Sequence, residues 1–204
     1  MNVYLDGEPF SFAGPRTFAA ALRAAGAEAE RHGRVLVEVQ IDGAPALETL
    51  IDDPPEEPVG EDVRMVSVEP RTLVRVTLMD AVDALDAARE RQGRSAELIQ
   101  TGKIEEALAP LSEAIQTWQT VRDAVEKSAA MLGMTLGDLS TGADERDMEA
   151  LIGDLAGRLA EIRRSLAGED WSALADVLAY DMGEQTDHWK TALTSAAEGL
   201  RKTK

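Results

Sequence analysis

The chain has no cysteine. Disulfide staples, thiol nucleophiles and thiolate metal sites are therefore excluded. Histidine is almost as scarce, represented by His32 and His188 alone. Together these two scarcities remove the usual residues of covalent and acid–base catalysis. Carboxylates remain, but with 38 of them none stands out by type alone. No Gly-x-Ser-x-Gly elbow and no Gly-x-x-x-x-Gly-Lys phosphate loop is present. No catalytic residue and no cofactor is expected from these patterns. Aromatic residues make up 4% of the chain, so the core must be mostly aliphatic and alanine, which suits helix packing better than a β-sandwich.

Basic residues are outnumbered, 21 against 38 acids, for a formal net charge of −17. Such a surface repels phosphate backbones and anionic membranes, so neither nucleic acid nor membrane is an expected partner, whereas a basic protein would suit it. No run approaches the roughly twenty apolar residues of a membrane span. Met1 to Gly7 contains neither a basic region nor an apolar stretch of signal-peptide length. A cytoplasmic location is expected.

What the chain does have is four apolar seams at alternating three- and four-residue spacing. One reads Met148, Ile152, Leu155, Leu159, Ile162, Leu166; another reads Val74, Leu78, Ala81, Leu85, Ala88, then Gln92, Ser95, Ile99. This spacing places each set on one helix face. The first helix is predicted to run to about Gln100 and the second from about Lys103 to Leu132. The second helix's inward residues are predicted to be Ile104, Leu108, Leu111, Ile115, Trp118, Val125, Ala129 and Leu132, with Pro110 kinking it or dividing off its first two turns. The third should span about Asp144 to Ala167. The fourth, capped by Asp170, should turn Trp171, Ala175, Leu178, Met182, Gln185, Trp189, Ala192 and Ala196 inward. Four such helices on short loops predict an antiparallel four-helix bundle over residues 71–204. A tetratricopeptide array is not supported, because no self-similarity near 34 residues is found.

Residues 1–70 read differently. Short apolar runs end in Asp6-Gly7 and in Asp42-Gly43, two hairpin signals of the same kind. A second strand is expected through Phe10 and Phe12, and a helix from about Phe18 to His32 with Thr17 as its cap. Val35, Val37, Val39 and Ile41 alternate with Leu36, Glu38 and Gln40, the pattern of a half-buried strand. Ala46, Leu47 and Leu50 are expected to continue the second hairpin. Pro54, Pro55 and Pro58 mark a loop before a last strand, Val63 to Val68. The order of hairpin, helix, hairpin, loop and strand predicts a small α+β domain of β-grasp-like type, an order that other small α+β sheets share, with a sheet edge that could serve strand addition.

Candidate sites follow from departures from the seams. Gln92, Ser95 and Gln185 are polar on otherwise apolar stripes, and Arg89 to Arg94 is strongly charged. Arg89, Gln92 and Arg94 are therefore partner-binding candidates, as a register device, a hydrated end or an opening of the bundle. Trp171, at a helix start, is a candidate anchor. Asp181, Glu184 and His188 share a helix face and form a metal candidate, although a carboxylate-bridged di-metal bundle needs Glu-x-x-His pairs that the other helices lack.

The run from Asp170-Trp171 through Leu174-Ala175-Asp176, Leu178 and Tyr180-Asp181, with Trp189 downstream, resembles the C-terminal helix of an uncharacterised bacterial family. That family's pattern is Asp-x-x-x-Leu-Ala-Asp-x-Leu-x-Tyr-Glu, with a downstream Trp and a small sheet-like region ahead of long helices. Asp181 stands where the pattern prefers Glu. The resemblance implies no activity. It marks Tyr180, a further partner-binding candidate, and Asp176 as polar positions, each expected to make a helix-packing hydrogen bond. The expected role is that of a non-enzymatic interaction or adaptor protein, with a protein partner or a second copy of itself. The alternatives are a chaperone for secretion or flagellar-type export, by analogy with other small acidic helical proteins, and a metal-binding or carboxylate-based enzyme on the helices.

Overall fold

The computed structural model describes residues 1–139 and 147–202. They form a mixed α+β chain, with a five-stranded sheet at the start followed mostly by helices. The chain divides into two compact units, Met1–Leu73 and Val74–Lys204. No helix among the described residues is long and apolar enough to cross a membrane.

In the first unit, β1 (Asn2–Leu5) and β2 (Glu8–Pro9) form one hairpin, and β3 (Val35–Ile41) and β4 (Ala44–Pro45) form another. Between them lies α1 (Phe18–Arg31), capped by the Thr17 hydroxyl accepting from the Ala20 amide. The short helix α2 (Glu48–Asp52) precedes β5 (Asp62–Val68). The sheet order is β2-β1-β5-β3-β4, with β1 parallel to β5 and β3 antiparallel to it. Val3, Val39, Val63 and Met65 on the sheet pack with Phe18, Ala21 and Ala25 of α1.

The two hairpins share one design. Asp6-Gly7 and Asp42-Gly43 both have positive φ at each turn residue, as a type I′ turn requires. Each Asp also reaches into β5, at opposite ends. Asp6 accepts from the amide and the hydroxyl of Ser67, both at 2.7 Å. Asp42 Oδ1 accepts from the amides of Glu61 and Asp62, at 2.8 and 2.9 Å.

Three local expectations are corrected. The strand expected through Phe10 and Phe12 is only Glu8–Pro9, and both rings instead pack on the core. The second hairpin does not continue through Leu47 and Leu50, because the chain turns helical at Glu48 and leaves Leu47 exposed. The alternation of β3 is broken by a bulge between Leu36 and Glu38. The extra residue, Val37, is 41% exposed, while Leu36 packs inward with Val39 and Ile41. A bulge exchanges the two faces of a strand, so period-two reasoning fails across it. Strand addition is also poorly served. Each edge strand has two residues, and the second is proline, which cannot donate to a new ladder.

The second unit is built from α3 (Pro70–Gln100), whose first turn still belongs to the first unit, α4 (Ile104–Leu132), the short α5 (Leu136–Leu139), α6 (Met148–Ala167), and a last helical stretch. That stretch comprises α7 (Trp171–Asp176), a π-turn over Val177–Asp181, and α8 (Met182–Lys202). The α3 seam is buried along its length, Gln92 and Ser95 included. Asp147 caps α6, and the start expected at about Asp144 lies outside the described residues. In α4 the chain runs unbroken through Pro110. Leu108 is 47% exposed, because Ala107, Leu111, Ala114 and Trp118 set the seam and Leu108 stands a helical step of about 100° to one side.

Candidate functional site

The last helical stretch positions the site. The Asp170 side chain accepts from the Ala173 amide and starts α7. At its far end the Met182 amide donates to the Val177 carbonyl, five residues back instead of four. The additional residue separates the buried pairs Val177/Leu178 and Met182/Gly183 by five positions. Ala179, Tyr180 and Asp181 are thereby turned away from the core, and Tyr180 is 71% exposed. Single π-turns within α-helices occur frequently at functional sites.

Beside this turn, α6 and α8 border an open groove of about 450 Å³. Arg158 of α6 donates to Asp181 across the groove and to Glu161 on its own helix, each at 3.2 Å. Glu184 stands 4.0 Å from His188, one turn along α8. Gly153 and Gly157 lie one turn apart on the α6 side, and a Cβ at either would meet nothing within 4 Å. Gln185 reaches the groove but is only 5% exposed, its Nε2 donating inward to the Leu151 carbonyl at 3.1 Å.

Behind Gln185 the interior is polar and closed. Gln92, 1% exposed, accepts from Trp118 Nε1 at 3.2 Å and donates to the Thr186 hydroxyl at 3.4 Å. Thr186 in turn donates to the Met182 carbonyl beside the π-turn. Trp118 meets Trp189 edge to face, with ring centroids 5.7 Å apart. Ser95 donates to the Ala107 carbonyl at 3.0 Å. Trp189 Nε1 is sealed in and has no hydrogen-bond partner among the described residues.

The predicted site residues are thus scattered. Arg89 makes a two-point ion pair with Asp187 on α8, at 2.5 and 3.3 Å, next to the Asp86–Lys190 pair at 2.6 Å. Arg94 turns to Glu97 in solvent. Gln92, also a binding candidate, lies in the core with both amide atoms hydrogen-bonded. Trp171 is half-buried against the helical core. Neither Tyr180 nor Asp176 makes the side-chain hydrogen bond expected of it among the described residues. Asp181, Glu184 and His188 do share the groove, but Asp181 is engaged by Arg158. Among the described residues no three His, Cys, Asp or Glu gather as metal ligands.

Sequence reasoning missed Arg158, Glu161 and the glycine pair, because they belong to the solvent face of α6, where no periodic signal singles them out. It also missed the π-turn. The step from Leu178 to Met182 is an ordinary helical spacing, so the additional residue leaves no mark on the seam. No protein-family model matches this chain, and no curated protein or solved structure is similar to it at a significant level.

Proposed function

We propose that this chain is a non-enzymatic, cytoplasmic protein–protein interaction or adaptor protein, with a β-grasp head and an antiparallel four-helix bundle. The strand order, the parallel β1–β5 pair and the helix between the hairpins support the β-grasp reading. The four long helical stretches of the second unit, with one buried seam each, support the bundle. Its partners are proteins rather than nucleic acids, in keeping with the net charge.

The observation that carries the functional reading is the groove beside the π-turn. Arg158 is shared by two of its carboxylates in an open setting, and an exposed aromatic, Tyr180, adjoins it in the chain. That combination favours recognition of another surface over chemistry on an enclosed substrate. The test is affinity capture from the native host with three baits: the wild-type chain, Tyr180→Ala and Glu184→Lys. A protein held by the wild type and released by either variant supports the reading. Equal recovery on all three baits, or none on any, counts against it.

A further inference from the structure

The groove's charge is lopsided. Four carboxylates, Asp154, Glu161, Asp181 and Glu184, line it, with the guanidinium of Arg158 and the imidazole of His188 as its basic groups. Arg158 is already shared between Glu161 and Asp181. Acidity alone does not define a site on a chain this acidic, and Gln185 supplies the second observation. This side chain is nineteen-twentieths buried, yet it lines the groove. Its amide nitrogen is committed inward to Leu151, while its Oε1 accepts no hydrogen bond from the described residues and is not among the sealed polar atoms. A nearly buried side chain whose free acceptor lines a groove rich in carboxylates suits a cationic N–H donor.

Resting on the interaction reading above, we propose that this groove receives a lysine or arginine side chain from a short basic segment of a partner protein, with Gln185 Oε1 and Glu184 as its acceptors. The glycine pair gives the segment room. Without side chains at Gly153 and Gly157, a bound chain approaches the α6 backbone across a full helical turn.

The experiment is a fluorescence-anisotropy titration of the full chain with a labelled helical peptide of alanine and lysine. A matched peptide of alanine and glutamate serves as the charge control. Glu184→Lys should weaken the lysine peptide about tenfold, and Gln185→Leu, which removes the acceptor at similar volume, about threefold. Glu90→Lys, an equal reversal of charge on exposed α3 surface, should change it by less than about twofold. The proposal is overturned if the wild type does not bind the lysine peptide, or if Glu90→Lys weakens it as much as Glu184→Lys, since attraction is then diffuse. It is also overturned if Gln185→Leu has no effect. If the peptide fails while capture from the host still depends on Tyr180, the interaction reading stands and only the basic occupant of the groove is lost.

Discussion

At the scale of single residues, the first unit depends on a few backbone positions that only particular side chains tolerate. Asp6 and Asp42 both adopt left-handed φ, which Asp bears better than most residues because its short side chain bonds locally. Here that side chain reaches past the turn to hold an end of β5. Gly60 completes the Asp42 clamp. Its φ is +65°, and a Cβ there would come within 2.5 Å of Asp42 Oδ2 and 2.6 Å of Ile41 Cγ2. The Asp42 carboxylate is pinned by two amides and cannot move aside freely. Gly60→Ala should therefore destabilise the chain by about 2 kcal/mol or more, combining backbone strain with a clash. Gly7→Ala has a similarly unfavourable φ but open space around it, and should lose only about 1 kcal/mol. Urea denaturation of both variants checks the difference, and equal losses would show that the packing at Gly60 contributes nothing.

At the scale of elements, the π-turn is a local exception carried by an otherwise regular helix. The inward faces of α7 and α8 remain aligned because the additional residue is absorbed entirely between Leu178 and Met182. Deleting Ala179 should restore ordinary four-residue hydrogen bonding without rotating either flank. The deletion variant is expected to unfold within about 0.5 kcal/mol of the wild type, or later. Any capture that depends on Tyr180 should be lost at the same time. Marked destabilisation by the deletion would mean that the flanks require the inserted residue. The clamps around the same helix explain its fixed register. The Arg89–Asp187 and Asp86–Lys190 pairs run in reciprocal charge order between α3 and α8, while Gln92 joins Trp118 to Thr186 in the dry interior. Exposed pairs of this kind contribute little energy each, whereas the buried amide is costly to leave unpartnered.

At the scale of the whole molecule, carboxylates make stabilising contacts within each unit as well as giving the chain its charge. Burial pushes the Asp6 carboxyl up, but the Ser67 amide and hydroxyl and the charge of Arg34 outweigh it and hold it below the ordinary value. The amides of Asp62 and Glu61 do the same for Asp42, and the Thr135 hydroxyl and amide for Asp138. A carboxyl whose folded pKa is depressed contributes stability above its unfolded pKa, near 3.9 for Asp, and loses it as pH falls through the folded value. The chain should therefore hold its stability down to about pH 4 and lose it below. In the double variant Asp6→Asn/Asp42→Asn, the loss below about pH 4 should be shallower, while the slope above about pH 5 stays unchanged. Denaturant midpoints measured across this range test it. An unchanged acid limb in the variant would remove the two hairpin aspartates from the account.

How much of this was legible beforehand follows from the range of each interaction. Periodicity and turn chemistry are local, so the seams of the four long helices, the Thr17 and Asp170 caps, the twin Asp-Gly turns and the α+β order could be read from the residues themselves. Composition likewise argued for an aliphatic, helix-rich core and against nucleic acid as a partner. Other features depend on residues far apart in the chain. Which of Ala107 and Leu108 faces inward was decided by the neighbouring helices, and the exposure of Val37 by the register of β3 against β5. Gln92 became a core hydrogen-bond link because Trp118 and Thr186 arrive beside it from elsewhere in the sequence. The groove brings together Arg158 and Asp181, 23 residues apart, which meet across it. Spacing along the chain reports which face of an element a residue occupies, but only packing determines what that face meets.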